Sequence, residues 1–148
     1  RALYEESLSI CRELGDYWLI ANALQNIGTI ARDQGEIETA KRLCYECLQI
    51  QRDIGDRWGI AISLEGFAEL AAINGENERA LMLWAAAAEL RIEIGASPKD
   101  EATCSRLEER ITSAKTAIGD VSTSNAAWRE GRGLNLAQSI ELALTGSD

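Results

Sequence analysis

The chain has 148 residues, 46% of them apolar but only 5% aromatic, which suits one domain with an aliphatic core. Its formal net charge of −9 argues against nucleic acid or an anionic membrane surface as partner, since both ask for a basic face. No apolar run reaches bilayer length, there is no histidine, and Pro98 is the one proline, so helix is favoured throughout and the commonest general base is missing.

Residues 1–15 read as the tail of a repeat unit. Leu3, Leu8 and Ile10 precede Gly15 as Leu43, Leu48 and Ile50 precede Gly55. Arg1 falls just after the position that matches Ala40, so this segment is expected to be the second helix of a hairpin cut from its first. Leu3, Tyr4, Leu8 and Cys11 should then be partly uncovered and favour self-association through that face. The start at Arg1 rather than methionine fits a fragment of a longer cytoplasmic protein.

Two full units follow, 16–55 and 56–95, related by a shift of 40 residues. Arg12, Gly15, Asp16, Trp18, Ile20, Ala21 and Leu24 recur as Arg52, Gly55, Asp56, Trp58, Ile60, Ala61 and Leu64. Ala31, Gly35, Glu36, Glu38, Ala40 and Leu43 recur as Ala71, Gly75, Glu76, Glu78, Ala80 and Leu83. Each unit predicts two helices. Asp16 and Asp56 are N-cap residues, and Ile20, Leu24, Ile27 and Ala31 keep helical spacing, as do Ile60, Leu64, Phe67 and Ala71. Gly35 and Gly75 end the first helix of each unit; Gly15, Gly55 and Gly95 end the second. Small residues at Gly28 and Ala40, and at Ala68 and Ala80, let the paired helices approach closely.

Cys44 and Cys47 form a C-x-x-C, but in mid-helix, with no second pair and no histidine. A metal site or redox motif is therefore not expected, and buried thiols are. Trp18 and Trp58 share one repeat position. An aromatic ladder for a partner is one reading; packing between repeats is the favoured one. Trp84 is expected in the core, and Trp128 as an anchor of the C-terminal region.

After Gly95 the register changes, and 97–148 is expected to form capping helices. Ser97-Pro98-Lys99-Asp100 suggests a capping box with proline at the first helical position. The helix it opens runs to about Ile118, with Leu107, Ile111, Ala114 and Ile118 on one face. Gly119-Asp120 is a turn, a short helix around Ala126, Ala127 and Trp128 is closed by Gly131 and Gly133, and a last helix carries Leu136, Ile140, Leu142 and Ala143.

The small and bulky positions of 1–96 resemble the tetratricopeptide motif: Leu24, Ile27-Gly28, Ala31, Ala40, Cys44 and Cys47, then Leu64, Phe67-Ala68, Ala71, Ala80, Trp84 and Ala87. The opening tryptophan of that motif is leucine here, and its terminal proline is absent. The 40-residue period resembles the long-repeat kind found in kinesin light chains and in bacterial regulators that join a nucleotide-binding switch to a repeat array. Ala127-Trp128-Arg129-Glu130-Gly131-Arg132, followed by Leu136-Ala137-Gln138-Ser139-Ile140, resembles the C-terminus of bacterial repeat-containing regulators of LuxR type. The resemblance implies an all-α, right-handed superhelical stack of helical hairpins with a helical cap.

It also implies a concave groove lined by the first helix of each unit. By register, that groove would present Asn22, Gln25, Asn26, Thr29 and Arg32 from one unit, and Ile62, Glu65, Glu69 and Ile73 from the next. The lysines of the carboxylate-clamp members are absent. The function so implied is binding of a protein or peptide within a larger signalling or transcription regulator, without cofactor, metal or catalysis. The alternative is a spacer or self-association element without a ligand.

Overall fold

A computed structural model describes residues 2–145; Arg1 and residues 146–148, the ends of the two predicted terminal regions, lie outside the described residues. Those described form eight helices and no strand: α1 (Ala2–Leu14), α2 (Tyr17–Asp33), α3 (Ile37–Ile54), α4 (Arg57–Ile73), α5 (Asn77–Ile94), α6 (Glu101–Ile118), α7 (Val121–Arg132) and α8 (Leu136–Leu144). None of them is long and apolar enough to cross a membrane.

The junctions follow from two residues each. Gly15, Gly55 and Gly95 take φ of 70°, 71° and 69°, a left-handed conformation that a Cβ would strain. Asp16 and Asp56 then serve both neighbouring helices. Their backbone N–H groups donate back to the carbonyls of Cys11 (3.4 Å) and Gln51 (3.0 Å), closing α1 and α3. Their carboxylates accept from the N–H of Leu19 (3.1 Å) and Gly59 (3.0 Å), opening α2 and α4. The same economy ends α2 and α4, where Glu36 N–H donates to Ala31 O and Glu76 N–H to Ala71 O, each at 2.8 Å.

Neighbouring helices pack in pairs, α2 with α3 and α4 with α5 most extensively, while α1 lies on α2 and α3 on α4. Ala40 and Ala80 are completely buried at the close approach. A Cβ added at Gly28 would meet Cys44 Sγ at 3.4 Å and Leu43 Cβ at 3.6 Å, ordinary contact distances that leave room for a methyl group between the paired helices. The core is aliphatic as composition requires. Leu24, Leu48, Leu64 and Leu83 are fully buried, each contributing about 1.5–3 kcal/mol. Trp84 is buried among them.

The expectation for Trp18 and Trp58 is overturned. They are 53% and 51% exposed, not packed between repeats. At the N-terminal end, Leu3 is 80% exposed and Tyr4 is exposed too, but Leu8 is half-buried and Cys11 is buried against α2.

The C-terminal helices depart from a plain extension of the pairing. The N-cap of α6 is Asp100, not Ser97; its carboxylate accepts from Thr103 N–H at 2.9 Å, and Pro98 stays outside the helix. The Thr103 contacts hold the Asp100 carboxyl below its usual range. Gly131 lies inside α7 rather than ending it, and Gly133 is the C-cap. α7 packs on α5 more than on α6, and α8 turns back to touch α3, α4 and α5. Arg79 of α5 fixes that return, since its Nη2 donates to the carbonyls of Leu142 (2.7 Å) and Ala143 (3.0 Å) at the C-terminus of α8. The other end of α8 carries a reciprocal capping box between Asn135 and Gln138.

Candidate functional site

α2 and α4 touch along one side of the fold, and the period of the helix decides what they present there. Positions at i, i+4, i+7 and i+11 share one stripe. On α2 that stripe is Trp18, Asn22, Gln25 and Thr29; on α4 it is Trp58, Ile62, Glu65 and Glu69.

Between the two helices lies a cavity of about 210 Å³. It gathers Gln25, Thr29 and Arg32 from α2 and Ile62, Glu65 and Glu69 from α4, six of the predicted groove residues. Asn22, half-buried, and Asn26, exposed, are not among its lining, nor is Ile73, which is 55% exposed. Cys44 and Cys47 of α3 reach the cavity between the helices, with Ser63 and Gly66 beside them. Sequence reasoning placed both cysteines in the core and missed this reach, although their spacing on one face of α3 was visible.

The polar groups differ sharply in how far they are satisfied. Glu65 receives a two-pronged contact from Arg91 of α5, Nε to Oε2 at 2.7 Å and Nη2 to Oε1 at 2.8 Å. That carboxylate raises the Arg91 pKa above its ordinary value. Arg91 Nη1 also donates to Ala96 O at 2.9 Å, tying the α5–α6 connection to the same residue. Glu69 is paired with Arg110 of α6. Both cavity carboxylates are thus neutralised from outside α2 and α4. Arg32, only 17% exposed at its side chain, has a long contact of 3.6 Å to its neighbour Asp33. Gln25 Nε2 is buried and donates to no acceptor. Such a donor costs about 1–3 kcal/mol relative to a satisfied one.

The thiols are quiet. Burial pushes Cys44 up to about 11, against a smaller opposing pull from Arg32. Burial likewise pushes Cys47 up to about 12, and its Sγ donates to Ala21 O at 3.2 Å. Ser63 Oγ donates to Gln51 Oε1 at 2.5 Å, so the cavity floor has no activated nucleophile beside a base. The arrangement offers two donors, Gln25 Nε2 and the Arg32 guanidinium, and two neutralised carboxylates, with exposed indoles at one end of the same stripe.

No protein-family model, curated protein or solved structure matches the chain.

Proposed function

We propose that this chain is a tetratricopeptide-like stack of the long-repeat kind, a right-handed superhelix closed by α6, α7 and α8, that binds an extended peptide or partner segment along α2 and α4. The cavity between those helices carries the reading: it holds a buried amide donor without an acceptor, beside a cation with only a distant partner. A peptide carbonyl laid against Gln25 would supply the missing acceptor, and Arg32 would take a second carbonyl or a carboxylate. Trp18 and Trp58 lengthen the stripe at equivalent, exposed positions of the two units, and tryptophan is enriched among the residues that carry binding energy at interfaces. The role is non-catalytic, within a larger cytoplasmic signalling or transcription regulator of the kind its C-terminal string resembles.

Gly66 supplies the test. It lines the cavity, and a Cβ there would meet only Cys44 Sγ at 4.0 Å, so Gly66→Phe should fill the groove without disturbing the core. Peptides selected by the chain on an array should lose binding to Gly66→Phe. Retention by that variant would move the site elsewhere, and an array with no bound peptide would favour a spacer.

A further inference from the structure

Far from that groove in the sequence, α6 and α7 form a second cleft of about 400 Å³ together with α5. Its chemistry runs against the chain as a whole. In a protein of net charge −9, Lys115, Arg129 and Arg132 converge there around Trp128, with Asn125 and one carboxylate, Glu89. Arg132 Nε donates to Glu89 at 3.3 Å, which neutralises that carboxylate. Among the described residues Lys115 and Arg129 form no ion pair, and neither is among those with further unprinted interactions. Lys115 Nζ instead sits 5.7 Å from the centroid of the Trp128 ring. Arg129 and Arg132 occupy the last turn of α7, where cations offset the helix dipole. Lys115 likewise lies in the last turn of α6, so the dipoles account for each cation singly but not for the convergence of cations from two helices on one half-buried indole.

We propose that this cleft is a second binding site, for an acidic peptide segment in which carboxylates flank an apolar side chain. Charge complementarity selects the occupant: two cations without ion pairs would receive two carboxylates, and arginine presents a fork that matches carboxylate geometry. The apolar residue would rest on Trp128. Lys115, Arg129, Arg132 and Asn125 are all exposed, so the cleft is an open surface, which suits a chain segment better than a small metabolite that needs enclosure.

The test uses the full chain and a fluorescein-labelled peptide rich in glutamate and leucine, with the same peptide carrying glutamine for glutamate as comparator. Fluorescence anisotropy should show binding of the acidic peptide alone, weakened by added salt. Lys115→Glu with Arg129→Glu should weaken it by about tenfold or more, with unchanged far-ultraviolet circular dichroism. Arg129→Gln alone should weaken it less. Arg32→Glu, in the groove of α2 and α4, should leave it unaltered. Equal binding of the glutamine peptide, or wild-type binding by the charge-reversed variant, would overturn the proposal. So would displacement of the peptide by inorganic phosphate at similar concentration, which would point to a small anion. Loss of binding in Arg32→Glu alone would place the acidic peptide in the groove and leave the α6–α7 cleft without a ligand.

Discussion

Gly66 and Gly131 both stand inside helices, yet a methyl group added to each should move stability in opposite directions. At Gly131 the added Cβ would lie 2.7 Å from Met82 Cα and 2.9 Å from Ala85 Cβ, and it would press on the Met82 carbonyl as well. These are backbone atoms and a short side chain of α5, which is held on its other faces by α4 and α6. They cannot rotate aside, so α7 must lift from α5. Overpacking of this kind costs about 1–3 kcal/mol, and the gain in helix propensity near the end of α7 offsets little of it. At Gly66 the added Cβ meets only Cys44 Sγ at 4.0 Å, an ordinary contact. Gly66→Ala therefore keeps the propensity gain of about 0.5–1 kcal/mol. For a chain of this size, 1 kcal/mol corresponds to roughly 3 °C of thermal midpoint. Thermal unfolding followed by circular dichroism should show Gly131→Ala lower by about 3–9 °C and Gly66→Ala higher by about 1.5–3 °C. Gly131→Ala at or above the wild-type midpoint would refute the close packing of α7 on α5. A fall in Gly66→Ala would refute the open space at the groove.

Cys44 and Cys47 make stability fall at alkaline pH. Their thiols, ordinarily near 9.0, are raised by burial to about 11 and about 12, so the folded chain holds these protons longer than the unfolded one. Their contribution is complete below pH 9 and is lost as pH rises through 11 to 12. The thermal midpoint should drop less steeply over this window in Cys44→Ala with Cys47→Ala than in the wild type, and parallel curves would show that the thiols are not the groups responsible. Leu3, 80% exposed, and half-buried Leu8 supply the apolar face of α1. Replacing both by glutamine should shift any self-association toward monomer in sedimentation velocity, and association unchanged by the replacement would locate the contact elsewhere.

Local structure was legible because local rules set it. Glycine needs no partner to adopt a left-handed φ, and an aspartate reaches N–H groups only a few residues away. The ends of α2, α3, α4 and α5 therefore followed from Gly15, Asp16, Gly35, Gly55, Asp56, Gly75 and Gly95. The repeat register carried equal information about the candidate groove. Positions that face one way on α2 face the same way on α4, which is how Gln25, Thr29, Arg32, Glu65 and Glu69 come to one cavity.

Other features needed the packed structure. The repeat shows that Trp18 and Trp58 are equivalent, but equivalence does not say whether the shared direction is inward or outward; their place on the stripe of Gln25 and Glu65 turned them outward. Nothing in the spacing of Gly131 distinguishes a helix stop from a contact glycine, because the deciding neighbour, Met82, is remote in the chain. The return of α8 depends on Arg79, whose counterpart in the first unit, Thr39, is too short to cap a distant helix. The pairing of Glu65 with Arg91 and Glu69 with Arg110 joins charges from helices whose separation in sequence fixes nothing about their distance. Backbone conformation at a junction depends on a few adjacent residues. The partner of a side chain depends on which surfaces the whole chain brings together, and only the tertiary structure decides that.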